Sequence, residues 1–198
     1  MRFILASNNI KKLAELKAIL SGFDAEVLSQ TEAGLCFEAE ETGGTFEENA
    51  IIKAKAACGA LNEPTIADDS GLVVDALDGE PGVFSARYGG DACRSDGERT
   101  ALLLRNMRGK ENRSAKFVSC IACVFPNGDI ITARGECGGS ITPSPRGKGG
   151  FGYDPVFEPS GMDRTMAELT AEEKNAVSHR GAALRNFETK LREYYADK

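Results

Sequence analysis

The sequence lacks several features that define other classes of protein. It has no excess of basic residues, because 24 lysines and arginines face 30 aspartates and glutamates, for a formal net charge of −6. This balance excludes a broad cationic surface for DNA or RNA, although a few lysines and a divalent cation can still bind a small phosphorylated molecule. No apolar run approaches the ~20 residues of a membrane span, and the first residues turn polar too soon for a signal peptide. We therefore expect a cytoplasmic protein with no nucleic-acid or membrane partner.

Histidine is scarce, and the six cysteines form no obvious functional set. His179 is the only histidine, and no GxSxG segment accompanies it, so the sequence gives little support to a nucleophilic hydrolase or a histidine-rich zinc site. Cys120 and Cys123 form a CxxC, but they lie in an apolar, strand-like segment where residues three apart point to opposite faces. Reduced, buried packing thiols are favoured over a metal-binding or redox pair.

Length and hydrophobic pattern predict a single α/β domain over residues 1–198. The chain is 41% apolar and 27% charged, an ordinary globular mixture without repeats or linkers. We expect a mixed sheet flanked by helices, in two lobes with a central substrate cleft. The predicted strands are 2–6, 25–29, 65–75, 115–126 and 129–138, and the predicted helices are 9–20, 45–60, 98–107, a short one after 170, and 178–196. The 65–75 strand is expected to be interrupted at Asp68-Asp69-Ser70-Gly71, and the last two strands to form a hairpin.

Charged residues at two places suggest a site for a phosphorylated ligand. Residues 7–12 (SNNIKK) connect a strand to a helix, where unpaired backbone N–H groups attract an anion; a plain helix cap with exposed lysines is an equal alternative. Asp68 and Asp69 break an apolar strand, where charge is costly unless it is paired or bound to a metal. Carboxylates of this kind suit Mg²⁺ binding or proton abstraction from water.

An acidic run and the following helix could add to that site. The run extends from Glu38 to Glu41 and is either a solvated surface or a source of a further metal ligand. Asn49 and Lys53 lie four positions apart, and therefore on one face of the predicted helix. That face turns either towards the site or towards solvent.

Two later segments are candidates for recognition of a flat base. Residues 147–155 (GKGGFGYDP) are rich in glycine around Phe151 and Tyr153, and they form either a stacking platform with Asp154 or a mobile loop packed on the core. In residues 172–181, His179 and Arg180 are more plausible as hydrogen-bond donors to a ligand than as parts of a triad. A charged surface helix is the alternative.

Six segments, taken together, resemble the inosine triphosphate pyrophosphatase family. They follow one another in the family's order from Ser7 to Leu184, and one departure is Asn8, where many relatives carry glycine. Asparagine tolerates left-handed backbone, so this departure does not imply loss of function. The segments are SNNIKK, TFEENAIIKAKA, IADDSGLVVDAL, GVFSARYGG, GGFGYDPVF and MAELTAEEKNAVSHRGAAL.

The resemblance implies an elongated α/β fold, a homodimer and a Mg²⁺-dependent reaction. Members of the family hydrolyse the noncanonical purine nucleotides ITP, dITP and XTP to the monophosphate and pyrophosphate, which cleanses the nucleotide pool. It implies Asp69 as the proton acceptor, and Asp69 with either Glu40 or Glu41 as metal ligands. The implied substrate-binding residues are Ser7, Asn8, Asn9, Ile10, Lys11, Lys12, Lys53, Ser70, Phe151, Gly152, Tyr153, Asp154, Lys174, His179 and Arg180.

Two other functions are compatible with these residues. One is a pyrophosphatase for other modified nucleotides, such as modified pyrimidines, and the other is a module that binds a nucleotide without cleaving it. The pair Asp68-Asp69 argues against binding alone, because extra carboxylates repel phosphate unless a metal is present. Whether Asp69 can be both metal ligand and base stays open, since a metal-bound carboxylate is a weak base.

Overall fold

The computed structural model describes residues 1–36 and 39–196, without the side chain of Lys11. Six strands and five α-helices lie in this part of the chain; they alternate as far as α3, after which β4, β5 and β6 precede α4 and α5. The strands are β1 (Arg2–Leu5), β2 (Glu26–Ser29), β3 (Thr65–Val74), β4 (Ser114–Val124), β5 (Ile130–Ile141) and β6 (Phe157–Pro159). The helices are α1 (Ile10–Leu20), α2 (Phe46–Leu61), α3 (Asp96–Asn106), α4 (Ala171–Val177) and α5 (His179–Ala196).

The strands form one mixed sheet in the order β2-β1-β3-β4-β5-β6. Strand β1 pairs in parallel with both β2 and β3, whereas β5 and β6 are antiparallel. Parallel neighbours need a crossover, and α1 and α2 supply the connections after β1 and β2. The expected α/β class with a mixed, helix-flanked sheet is confirmed.

The described chain divides into two compact units, each with its own core. The first unit comprises residues 1–69, 119–135 and 183–198, and the second comprises 70–118 and 136–182. Strands β3, β4 and β5 each contribute residues to both units. Phe3 and Phe187 are fully buried in the core of the first unit, as Leu103 and Phe157 are in that of the second. No described helix is long and apolar enough to cross a membrane.

The predicted interruption of the third strand is wrong. Strand β3 runs unbroken from Thr65 to Val74 through the Asp-Asp-Ser-Gly segment. Backbone N–H and C=O groups pair in a strand whatever the side chains are. The two acidic side chains are in addition paired with lysines of the first unit, as described below. The segment therefore stays extended and carries its charges on a regular strand.

Other differences lie where local signals are weak. Three 3₁₀ helices that the sequence did not predict lie between β3 and α3, at Asp75–Leu77, Gly82–Arg87 and Gly90–Ala92. Strand β6 is only three residues long, too short to produce a visible alternation of polar and apolar residues. The thiol prediction is confirmed in that Cys120 and Cys123 are unpaired and fully buried.

Candidate active site

Asp68 and Asp69 lie in the middle of β3, and two lysines of the first unit contact them. The Nζ of Lys53 donates to Asp69 Oδ1 at 2.9 Å, and the Nζ of Lys12 lies 3.4 Å from Asp68 Oδ1. Both ammonium groups also contact the Asp68 carbonyl oxygen, at 3.1 Å from Lys53 and 3.5 Å from Lys12. Asp69 is only 9% exposed, so this pairing offsets much of the cost of burying its charge.

Lys53 also joins Asp69 to the acidic segment that precedes α2. Its Nζ donates to Glu41 Oε1 at 2.8 Å, so one ammonium group holds the carboxylates of Glu41 and Asp69. The adjacent Glu40 is exposed. Glu38, part of the same acidic run, lies outside the described residues. Of the two glutamates left open by the sequence, the structure therefore brings Glu41 to Asp69.

Helix α2 explains how Glu41 reaches this position. The helix begins with a capping box in which Thr45 and Glu48 bind each other's backbone N–H. One turn later, the fully buried Asn49 accepts a hydrogen bond from the Gly43 N–H at 2.8 Å. A Cβ on Gly43 would lie 2.8 Å from that amide oxygen, so only glycine fits there. The turn after Glu41 is thus fixed against the same helix face that carries Lys53.

Burial and nearby charges make Asp69 a more basic carboxylate than usual. Burial raises the pKa of Asp69, and the attraction of Lys53 only partly opposes that effect. Burial alone would lower the pKa of Lys53, but its interactions with Asp69 and Glu41 raise it overall. The ammonium groups of Lys12 and Lys53 contact the carboxylates of Asp68, Asp69 and Glu41. Asp69 Oδ2 is buried and accepts no hydrogen bond from the described residues.

The segment from Ser7 to Lys12 contains a helix cap and a lysine whose side chain contacts another element of the fold. Ser7 Oγ accepts the Asn9 N–H at 3.1 Å, and Asn9 Oδ1 accepts the Lys12 N–H at 3.2 Å, so Asn9 caps α1. The ammonium group of Lys12, however, turns to Asp68 instead of solvent. Ile10 is 81% exposed at the start of the helix, while the side chain of Lys11 lies outside the described part.

Asn8, the departure from the family pattern, has a structural role of its own. Its Oδ1 accepts hydrogen bonds from the backbone and the hydroxyl of Thr31, the latter at 2.7 Å. Asn8 is not among the described non-glycine residues with positive φ, so its tolerance of left-handed backbone is not used. The asparagine instead ties the end of β1 to the loop after β2.

In the second unit, Phe151 presents a partly exposed ring beside two cations. The ring is 48% exposed, with Lys174 Nζ 4.8 Å and Arg180 Cζ 5.9 Å from its centroid. Both distances are within the range of a cation–π interaction. Asp154 Oδ2 accepts from Lys174 Nζ at 2.6 Å and from the Phe151 N–H at 2.8 Å. The carboxylate therefore holds the lysine and the aromatic residue together.

Arg180 and His179 begin α5 and are both mostly buried, each 8% exposed. Arg180 donates to Ser70 Oγ at 3.3 Å. The imidazole of His179 stacks on Phe117, with ring centroids 4.8 Å apart and planes 16° from parallel. These contacts fix both side chains, which excludes the alternative of a charged surface helix at this point.

Two predicted neighbours of Phe151 have backbone or core roles. Tyr153 is 5% exposed and donates its hydroxyl to the Ser85 carbonyl at 2.9 Å, so it anchors the loop in the core. Gly152 is bound through its backbone by Asp96 and Thr100 of α3. The sequence did not predict Asp96 and Thr100. Each binds a backbone group more than 50 positions away, and such a hydrogen bond leaves no pattern in either segment.

The fold and the two groups of side chains are those of an α/β protein that binds a nucleotide. The family model of the Ham1 family matches residues 3–190. The dITP/XTP pyrophosphatase of Deinococcus deserti is 49% identical over 181 residues, which is 91% of this chain and 85% of the relative. That of Nocardia farcinica is 50% identical over 193 residues, covering 94% and 92%. The Staphylococcus aureus Ham1 protein matches with a TM-score of 0.92 at 41% identity, covering 98% of this chain and 100% of the other. The chain therefore belongs to the Ham1 family.

Proposed function

We propose that the protein hydrolyses ITP, dITP and XTP to the nucleoside monophosphate and pyrophosphate. The observation that carries this proposal is the buried carboxylate of Asp69, held beside Glu41 by Lys53 and with one oxygen that accepts no hydrogen bond from the described residues. A carboxylate of raised pKa, close to cations, suits proton abstraction from a water that attacks a charged phosphate. The relatives named dITP/XTP pyrophosphatases supply the substrate class.

Glu41 and Asp69 fit a Mg²⁺ ion. Both carboxylates already face one cation, and oxygen ligands are the ones that Mg²⁺ prefers. Within residues 1–36 and 39–196, no group of three or more His, Cys, Asp or Glu side chains could hold a metal ion. This fits Mg²⁺ better than a metal that is bound entirely by protein side chains. In nucleotide enzymes Mg²⁺ binds few carboxylates, and phosphate and water supply its other ligands. When bound, Mg²⁺ offsets the charge of the triphosphate.

The chain's own residues then divide the work of hydrolysis. Asp69 Oδ2 accepts a proton from the attacking water, while Oδ1 stays on the side of Lys53 and Glu41. The water oxygen forms a bond to the α-phosphorus, the bond from phosphorus to the bridging oxygen breaks, and pyrophosphate leaves. Lys12 and Lys53 stabilise the negative charge of the phosphates, and the N-terminal backbone of α1, after Ser7, Asn8 and Asn9, offers further N–H groups.

The residues of the second unit recognise the base in this proposal. Phe151 stacks on the purine, and Lys174 and Arg180 are donors beside the ring. His179 is a further donor, while Asp154 and Tyr153 keep the loop in place. Ser70 contacts Arg180 and fixes its guanidinium.

Pyrophosphate release from the purified protein tests both the reaction and the metal. With Mg²⁺, ITP should give inosine monophosphate and pyrophosphate, and exhaustive EDTA treatment should remove activity that added Mg²⁺ restores. Full activity after EDTA would contradict the metal assignment. Release of single phosphates, preference for modified pyrimidine nucleotides, or binding without cleavage would each contradict the proposed reaction.

Replacement of Lys12 tests the phosphate site. Lys12→Ala should raise KM for ITP about 10-fold or more and change kcat little, because a contact shared by ground and transition states is uniform binding. Lys17→Ala, which removes an exposed lysine from the other end of α1, is the matched control. An unchanged KM in the Lys12 variant would remove this residue from the phosphate site.

The remaining expectations concern assembly and location. We propose that residues 1–198 act as one pyrophosphatase domain, since the family model spans both compact units, and that two chains form a homodimer, as the family resemblance implies. Light scattering after gel filtration should give twice the chain mass of 21.1 kDa. A mass equal to one chain would contradict the dimer. A cytoplasmic location and the lack of nucleic-acid partners stay predictions.

A further inference from the structure

Side chains of α3 hydrogen-bond both backbone groups of Gly152. The Gly152 N–H donates to Asp96 Oδ2 at 2.8 Å, and Thr100 Oγ1 donates to the Gly152 carbonyl at 3.3 Å. Asp96 and Thr100 lie four positions apart, one helical turn, so they are on the same face of α3. One acceptor and one donor of this face thus bind a single residue of the glycine-rich loop.

The position of Phe151 depends on such contacts because its neighbours have no side chains. Gly150 and Gly152 have φ of 74° and 59°, in the left-handed region that favours glycine. A glycine backbone is also the most costly to order, so hydrogen bonds made by the loop decide where the aromatic ring lies. Asp154 binds the Phe151 N–H on one side, and α3 binds Gly152 on the other.

Asp96 is well suited to this task because its two oxygens have separate partners. Oδ1 accepts from the Arg99 guanidinium at 2.6 Å, which leaves Oδ2 for Gly152. The hydrogen bond from Arg99 is the largest cause that holds the pKa of Asp96 below its usual range, and burial opposes it. An ionised acceptor makes a stronger hydrogen bond to a backbone N–H than a neutral one does.

We propose that Asp96 and Thr100 are positioning residues of the base site, which hold Gly152 so that the ring of Phe151 is ready to stack on the purine. This inference rests on the function proposed above. Neither residue touches the substrate in this scheme, since both act through the loop backbone. A platform fixed before the ligand arrives loses less entropy on binding, so the two residues contribute to nucleotide affinity.

Steady-state kinetics on ITP give the first test. Asp96→Ala and Thr100→Val should each raise KM by about 3- to 10-fold, the net value of a hydrogen bond, with kcat within about twofold of the wild type. Asp96→Asn should give an intermediate KM, because its single amide oxygen can accept from Gly152 or from Arg99 but not from both. Ser95→Ala is the control, since it weakens the capping box of the same helix and leaves Gly152 untouched.

A fluorescence measurement gives a second test that needs no activity. The chain contains no tryptophan, so Phe151→Trp introduces a single indole at the proposed platform, which can be excited at wavelengths where the tyrosines do not absorb. In this background and without nucleotide, Asp96→Ala or Thr100→Val should lower the anisotropy of the indole and increase its quenching by acrylamide. Ser95→Ala should leave both close to the parent variant, and Asp96→Asn should give intermediate values.

The outcomes separate this inference from the proposed function. Unchanged anisotropy and quenching in the Asp96→Ala and Thr100→Val variants would overturn the positioning role whether or not the protein hydrolyses ITP. Equal changes in the Ser95→Ala variant would also overturn it, because the effect would then come from helix stability. If the wild type released no pyrophosphate, the proposed function would be wrong. The fluorescence comparison would still show whether Asp96 and Thr100 fix the loop.

Discussion

Asp69→Asn should abolish turnover while the fold and much of the substrate binding remain. The amide has nearly the volume of the carboxylate and its oxygen can still accept from Lys53, but it can neither take a proton nor supply charge to a metal. Loss of a general base alone lowers kcat by about 10²- to 10⁴-fold. The measurement is pyrophosphate release at saturating ITP and Mg²⁺, together with thermal unfolding of both proteins.

Asp75→Asn is the matched control for this variant. Asp75 is the next acidic residue along the chain, it is exposed, and the same carboxylate-to-amide change there should leave kcat near the wild-type value. Retention of more than about a tenth of wild-type kcat in the Asp69 variant would be too small a loss for a general base and would refute the assignment.

Arg180→Ala should erode discrimination against ATP while the ratio of ITP to GTP stays nearly constant. Inosine and guanine both carry a 6-oxo acceptor, whereas adenine carries a 6-amino donor, and a guanidinium can only donate. Loss of a hydrogen bond from a charged group corresponds to about a 10- to 150-fold fall in the ITP/ATP ratio of kcat/KM. Arg180 is nearly buried beside Phe151, where a mismatched donor would find no water to replace the lost partner.

Two further variants test whether Arg180 recognises the base or only supports the site. Arg180→Gln offers both a donor and an acceptor, and should relax selectivity towards ATP with less disturbance of packing than alanine. Arg185→Ala removes an exposed arginine of the same helix and should leave all ratios unchanged. An equal loss on ITP, ATP and GTP in the Arg180 variants, with ratios preserved, would show that this arginine supports the site without recognising the base.

Selectivity against GTP needs a second contact near C2 of the purine. Guanine differs from hypoxanthine only in its 2-amino group, which Arg180 would not contact if it donates to the 6-position as we propose. The segment from Phe151 to Asp154 is the candidate, because it is fixed by hydrogen bonds at Phe151, Gly152 and Tyr153. A wall or donor there would disfavour the amino group.

Elements with strong local patterns could be predicted from the sequence alone. Helices α2, α3 and α4 could be predicted because each begins with a capping box, whose two partners lie three positions apart. The long strands β4 and β5 were found from their apolar runs and the turn between them. Strand β6 was missed because three residues contain no pattern, and its pairing with Gly139 to Ile141 is a tertiary contact.

Some features of the candidate site could likewise be predicted from the sequence, and others could not. Asp68 and Asp69 stood out because charge in an apolar strand is costly, but their effect on the strand was misjudged, since Lys12 and Lys53 arrive from other elements. The choice between Glu40 and Glu41 depended on which carboxylate meets Lys53, which only the folded chain determines. Asp96 could not be found at all, because its target is a backbone group.

Lys53 gives Glu41 and Asp69 a counter-ion that is part of the chain itself. Two carboxylates that share a metal repel each other when it leaves, and one of them usually takes up a proton. Here an ammonium group 2.8 and 2.9 Å from the two oxygens offsets part of their charge and holds them in place. If Mg²⁺ binds as proposed, its depletion should silence the protein without unfolding it, and the carboxylates should be ready to take the ion up again as soon as it returns.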